Sequence, residues 1–333
     1  MNAATAPPHD AVELLALGEA MVEFNQTGER DGRVWLQGFG GDTSNFAIAA
    51  ARQGAKTGYL SAVGDDARGR MLRALWAEEG VDASGVRADA SAFTAIYFVT
   101  HDADGHHFDF MRAGSAASRM TPADLPHERI ASARVLHLSG ISLAISKSAY
   151  ETCLAAIETA RSASVRVSFD TNLRLKLWPL DKARAVMREV MMRSDICLSS
   201  LDDMTVVTGL AEPEAIIDHC LSLGAGIVAL KLGAEGALVA DARQRFRIAP
   251  HPCRAVDATG AGDTFGGAFL ARWLAGDSLE AAGRYASVAA ALSTEGYGAV
   301  EPIPTAARVR AMLDGITSHS ARAQTERRTH IRR

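Results

Sequence analysis

Toward the C-terminal end of the chain stands the run Asp257-Ala258-Thr259-Gly260-Ala261-Gly262-Asp263-Thr264-Phe265-Gly266-Gly267-Ala268-Phe269. Its pattern predicts a helix from Ala261 to about Ala275, with small residues on one side and Phe265, Phe269 and Leu270 on another. Gly260, Ala261 and Gly262 then form the first turn. N–H groups at a helix start lack partners within the helix, and the helix dipole adds positive charge there, so such a turn can hold an anion. Glycine lets the backbone approach a phosphate with no Cβ in the way. A carboxylate beside that turn is wrong for simple anion storage, because it repels the phosphate. Asp263 makes sense as a general base that takes the proton of an attacking hydroxyl while backbone amides hold the phosphoryl group. The plainer alternative is a glycine-rich turn with a capping Asp, and a GxGD string alone would favour it.

Such a site needs a large core, and the composition allows one. The chain has 333 residues, 48% hydrophobic and 22% charged, with a net charge of −4. This profile fits a globular protein and gives no reason to expect a nucleic-acid partner, which requires clustered Lys and Arg. Cys153, Cys197, Cys220 and Cys253 form no CxxC pair, so free thiols in a reduced compartment are expected rather than a zinc site. No run approaches the roughly 20 apolar residues that cross a bilayer, and the N-terminus carries no basic segment followed by an apolar one. The expectation is a cytoplasmic protein with no membrane partner. The Arg-bearing stretch 317–333 reads as a disordered tail after a single domain spanning 1–316.

Stepping along the chain, apolar runs at 14–17, 57–62, 135–138, 165–169, 196–198 and 227–231 alternate with helical patterns such as 45–53 and 68–79. Short apolar runs bounded by helices read as strands buried on both faces of a parallel sheet. The fold class expected is α/β, a three-layer α/β/α Rossmann-like domain with right-handed crossovers. Segments 32–37, 94–101 and 106–112 break the alternation and read as antiparallel strands. The last two are joined by the turn Asp102-Ala103-Asp104-Gly105. With no helices of their own, the lid strands near 19–37 and 94–112 are expected to form a small β-sheet lid.

These motifs together resemble the ribokinase-like, or PfkB, family of carbohydrate kinases. DATGAGDTFGGAF is similar to that family's second signature, and Gly38-Phe39-Gly40-Gly41-Asp42-Thr43-Ser44-Asn45 to its first. The resemblance runs from Gly18-Glu19 to Gly296-Tyr297-Gly298-Ala299. It implies an ATP-dependent enzyme that phosphorylates a sugar hydroxyl, with Asp263 as base and Gly260, Ala261 and Gly262 as the anion hole. It implies that Gly40, Gly41, Asp42 and Asn45 line the sugar site. Leu230-Lys231-Leu232-Gly233-Ala234-Glu235-Gly236 resembles the nucleotide loop, which assigns Lys231, Gly233, Gly236, Gly260 and Gly262 to ATP. Asp257 and Thr259 stand where the family places a monovalent cation such as K+. Asp203, in Ser199-Ser200-Leu201-Asp202-Asp203, stands where a Glu organises Mg2+ through water, and Ser200 replaces the usual Asn. A homo-oligomer paired through lid strands is also implied.

Within the family, Tyr97, Phe110 and Arg112 of the hairpin, with Asp170-Thr171-Asn172-Leu173-Arg174, resemble the branch that phosphorylates 2-keto-3-deoxygluconate. There Arg112 and Arg174 would hold the acid's carboxylate, since guanidinium groups grip carboxylates in a two-pronged way. An ion pair within the protein is the plainer reading of either Arg. Phe110 departs from the Tyr usual in that branch. His101, His106 and His107 read as solvated turn residues. The alternatives are a fructokinase or ribokinase of the same family and, in another class, a non-catalytic sugar-binding protein, against which Asp263 argues. A nucleotide-dependent dehydrogenase is disfavoured because Gly18-Glu19-Ala20-Met21, not GxGxxG, follows the first strand.

Overall fold

The structure, a computed structural model, describes residues 12–102 and 105–315. The expected tail at 317–333 and turn residues 103 and 104 lie outside the described residues. Among the described residues there are thirteen strands: β1 (Leu14–Leu17), β2 (Met21–Gln26), β3 (Trp35–Gly40), β4 (Thr57–Gly64), β5 (Val86–Asp89), β6 (Ile96–Asp102), β7 (Gly105–Met111), β8 (Val135–Ser139), β9 (Arg166–Asp170), β10 (Ile196–Ser200), β11 (Ile227–Lys231), β12 (Ala237–Asp241) and β13 (Arg245–Ile248). Nine form one sheet in the order β13-β12-β11-β10-β9-β8-β1-β4-β5. From β11 to β5 every pairing is parallel, while β12 and β13 extend the edge as antiparallel strands.

The central strands are short and apolar because both of their faces are covered. In β1, Leu14 and Ala16 pack into one core layer with Phe46, Phe265 and Phe269. Leu15 and Leu17 pack into the other with Leu136, Leu138 and Ile157. Period-two alternation thus feeds two cores, one on each side of the sheet. This is the three-layer α/β/α arrangement. No helix among the described residues is long and apolar enough to cross a membrane.

The remaining four strands form a separate sheet, ordered β3-β2-β6-β7. Aromatic stacks stand on it: Phe24 on Phe98 at 5.6 Å between centroids, and Tyr97 on Phe110 at 5.6 Å. The third strand differs from the sequence expectation, running over Trp35–Gly40 rather than 32–37. The cause lies in pairing. Gly38 and Gly40 face Glu23 and Met21 of β2, so the glycines of the first signature serve as the strand's end rather than as a loop. A Cβ on Gly40 would meet the Tyr97 hydroxyl at 2.3 Å, so only glycine leaves room for that ring.

Two helices bring the signatures together. Asp42–Arg52 begins at Gly41, whose φ of 117° suits glycine alone. Ala261–Leu274 begins at Gly260. The two pack backbone to backbone through Gly267, where a Cβ would lie 2.5 Å from the Phe46 carbonyl and 2.9 Å from Ala49 Cβ. Phe46 is anchored beneath by a 3.6 Å stacking contact with His137. Burial holds that imidazole's pKa down at about 3, so it packs as a neutral ring. Overpacking this contact should cost about 1–3 kcal/mol or more. Gly267→Val is therefore expected to lower the urea midpoint clearly. Gly28→Ala, where nothing lies within 4 Å, should shift it little. Equal midpoints for the two variants would show that the helices do not depend on that contact.

Candidate active site

Between the lid and the C-terminal ends of the parallel strands lies a cavity of about 850 Å³. The location follows from the topology, since open α/β sheets carry their ligand crevice beyond the strand C-termini. Strand β9 ends in Asp170, β10 in Ser200 and β11 in Lys231, and all three line the cavity. The helices supply Asp42, Asn45, Gly262 and Asp263, and the lid supplies Tyr97, Phe108 and Phe110.

Asp263 lies in the first turn of its helix and accepts a hydrogen bond from Asn45 Nδ2 at 2.9 Å. Its carboxyl pKa is pushed up to about 8. Burial is the largest cause, followed by the nearby Asp42 carboxylate; the Asn45 hydrogen bond opposes it, Asp170 adds to it and Lys231 opposes it. Three carboxylates thus converge, and each is fixed by a partner. Asp42 accepts from Asn172 Nδ2 at 3.0 Å, and Lys231 Nζ lies 2.5 Å from Asp170 Oδ2. Burial likewise raises the Asp170 pKa, against the pull of Lys231. A base held near neutrality at a cavity floor can accept a proton from a bound hydroxyl.

Gly260 stands at φ 75° and opens the helix, and Gly260, Gly262 and Asp263 line the cavity beside Lys231. A Cβ on Gly262 would come within 3.4 Å of Lys231 Nζ. Glycine turn, helix start and ammonium group together make a cradle for an anion. Ala261 lies outside the cavity lining and helps close the turn, its N–H donating to the Ala258 carbonyl at 3.2 Å. Asp257 also lies outside. Its Oδ1 accepts from Thr259 N and Oγ1 at 2.9 and 2.6 Å, and its Oδ2 from Gly298 N at 2.9 Å, which ties the loop before the helix to the 296–299 segment.

In the nucleotide-loop segment, Lys231 and Gly233 line the cavity and Gly236 does not. Gly236 faces the Ile248 carbonyl, 2.1 Å from where its Cβ would stand, so this glycine serves the turn between β11 and β12. Asp203 borders the cavity, but its Oδ2 accepts from Thr171 Oγ1 and Leu173 N, both at 3.1 Å. It thereby holds the Asp170–Arg174 segment in place. Ser200 caps the helix that carries Asp203, accepting from its N–H at 3.1 Å.

The lid wall differs most from what the sequence suggested. Arg112 lines the cavity, yet its guanidinium is paired with Glu19: Nε donates to Oε2 at 2.7 Å and Nη2 lies 2.5 Å from the same oxygen. Ser115 Oγ donates to the other oxygen at 2.6 Å. Tyr97 donates its hydroxyl to buried Glu23. Arg174 is exposed at the cavity mouth, and among the described residues its one hydrogen bond is to the Leu173 carbonyl, at 2.8 Å. His101 bonds to Asn25 and His107 to Asp102, away from the cavity. Sequence reasoning missed Glu19, Asp170 and Asn172 as site residues. Asp170 and Asn172 carried a signal in their place at a strand end; Glu19 carried only its position after β1.

The raised Asp263 pKa has two consequences. Only the ionised carboxylate accepts a proton, so kcat/KM for the acceptor is expected to climb with pH on a limb ending near pH 8. A flat profile over that range would remove Asp263 as the base. Because the folded state binds this proton more tightly than the unfolded chain, its contribution to stability is full below the usual carboxylate range and is lost as pH rises through about 8.

Comparison with known proteins places this geometry in context. Residues 12–306 match the description "pfkB family carbohydrate kinase". The chain is 33% identical to the 2-dehydro-3-deoxygluconokinase of Thermoproteus tenax, over 93% of this chain and 97% of that one. It is 32% identical to fructokinase-1 of Oryza sativa subsp. japonica, over 90% and 97%. The crystal structure of the Vibrio cholerae O395 fructokinase, in its fructose-, ADP- and calcium-bound form, superimposes with a TM-score of 0.81 at 27% identity, covering 91% of this chain and 99% of the other. A buried carboxyl at a glycine-rich helix start, a cavity beneath a small second sheet and a match over most of the chain lead to one conclusion: this chain belongs to the pfkB family of carbohydrate kinases.

Proposed function

We propose that the protein transfers the terminal phosphoryl group of ATP to the terminal hydroxyl of a keto-deoxy sugar acid, converting 2-keto-3-deoxygluconate to its 6-phosphate. The observation that carries this reading is a cavity with a base on its floor and two guanidinium groups on its walls, Asp263 below and Arg112 and Arg174 at the sides. The Asp263 carboxylate takes the hydroxyl proton, and Asn45 holds that carboxylate in one orientation. The N–H groups of Gly260, Gly262 and Asp263 and the Lys231 ammonium fit the phosphates of ATP. Mg2+ offsets phosphate charge when bound. Among the described residues no cluster of three or more His, Cys, Asp or Glu could hold it, so the ion is read as carried by the phosphates and water, with Asp203 as its nearest candidate carboxylate. K+ is assigned to the Asp257–Thr259 loop. Lid edge strands, where Leu36 and Met111 are more than half exposed, suit pairing into a homo-oligomer.

A neutral ketose is the second reading. The Arg112–Glu19 pair favours it, because that guanidinium's charge is already balanced. The fructokinase relative is as similar as the sugar-acid kinase.

Two outcomes are expected. Asp263→Asn keeps the shape and loses the base, so turnover should fall about 10²–10⁴-fold while ATP binding persists. Near-normal turnover in an ADP-release assay would defeat the assignment. Charge-assisted bonds contribute about 1.5–3 kcal/mol each, so Arg174→Ala should raise KM for the keto-acid by roughly 10–100-fold and change fructose kinetics much less. An equal loss on both substrates would assign Arg174 to structure, and a wild-type preference for fructose would replace the acid by the ketose.

A further inference from the structure

Glu19 carries no assigned role in the site, yet it is among the most enclosed charged residues described, with its side chain 1% exposed. It lies where the chain leaves β1 for the first lid strand. Its carboxylate receives Arg112 and Ser115, which lie where the chain returns from the last lid strand. A third crossing meets the same residue, because a Cβ on Gly41 would sit 2.4 Å from the Glu19 carbonyl. Glu19 and Arg112 both line the cavity, and the Arg112 guanidinium also lies over the Phe110 ring at 5.5 Å.

We propose that Glu19 is a specificity-determining residue: as the buried counter-charge of Arg112, it sets whether the lid wall meets the acceptor as a cation or as a neutral hydrogen-bond donor. The inference rests on the reading of Arg112 as a wall of the acceptor site. A guanidinium matched by a carboxylate within 2.7 Å contributes little net field at the cavity, whereas an unmatched one attracts an anion strongly in a poorly screened site. Glu19 touches no reacting atom in this scheme and acts through Arg112. With Glu19 in place, discrimination in favour of an acid falls mainly to Arg174. Loss of the Glu19 charge would hand a second cation to the acceptor.

The test is a four-cornered cycle measuring kcat/KM for 2-keto-3-deoxygluconate over kcat/KM for fructose in wild type, Glu19→Gln, Arg112→Gln and the double variant. Glu19→Gln should raise the ratio roughly tenfold, since one unit of opposing charge is removed close to the carboxylate. Arg112→Gln should lower it, by leaving the Glu19 carboxylate facing the acceptor. The double variant, which replaces the ion pair with two amides, should return to within about threefold of wild type. A residue that merely supports the lid would lower both substrates together and leave the ratio still. An unchanged or lower ratio in Glu19→Gln, or a double variant no better than Arg112→Gln, overturns the proposal. Should Glu19→Gln fail to fold by thermal melting, the comparison of Arg112→Gln with the double variant decides. A wild type that prefers fructose defeats the sugar-acid reading but leaves the expected rise in ratio intact. A wild type that prefers the acid, with a flat cycle, defeats the role of Glu19 alone.

Discussion

The hydrogen bond from Asn45 to Asp263 joins residues 218 positions apart, and most of the architecture exists to make it possible. A carboxylate that must accept a proton near neutral pH needs a protected, low-dielectric setting. The same setting would leave it neutral and misdirected without a fixed donor. Asn45 supplies that donor, and it can do so only because its helix and the Asp263 helix touch at their backbones. Gly267 permits the contact, the small residues Ala49 and Ala50 line it, and Phe46 over His137 locks its depth.

Charge is managed in pairs around that carboxyl group. Asp42, Asp170 and Asp263 would repel one another if left alone at the strand ends. Asn172 answers the first, Lys231 the second and Asn45 the third. Lys231 serves two ends at once, bracing Asp170 and standing over Gly262 at the helix start. The lid repeats the pattern with Tyr97 on Glu23 and Arg112 on Glu19. Breaking a buried pair by removing one partner leaves an uncompensated charge, so such pairs are rigid fixtures of a site. They also decide what the cavity presents to a ligand, because a paired guanidinium and a lone one differ by a full charge.

Local chemistry was readable wherever a residue's role is set by its neighbours in the chain. A helix start is announced by glycines and a first-turn carboxylate, which is why the turn at Gly260 and the position of Asp263 followed from the run itself. Strands buried on both faces are announced by short apolar runs, so the central parallel strands were expected within a few residues of where they lie. The β12–β13 hairpin was not recognised, because two antiparallel strands at a sheet edge lack the helix spacing that marks the others. The offset at Trp35–Gly40 has a similar origin. The strand reaches through Gly38 to Gly40 because both pair with β2, and the Tyr97 ring fills the space where a Cβ on Gly40 would stand.

Sequence by itself determined the layered α/β class, through the alternation of apolar runs and helical patterns, and the glycine-rich helix start with its candidate base, since each of these signals is carried by short stretches of consecutive residues. Tertiary structure alone decided who neutralises whom. That Asn45 meets Asp263, that Asp203 is spent on Thr171 and Leu173, and that Gly236 serves a turn away from the cavity depend on contacts between distant segments. The clearest case is Arg112, for which the family resemblance implied a carboxylate grip and the residue type alone an ion pair within the protein; the partner that decides between them, Glu19, lies 93 residues away on another strand end. The physical reason is that charge complementarity acts through space over a few ångströms, and no local pattern records which distant residue the fold will bring within that reach.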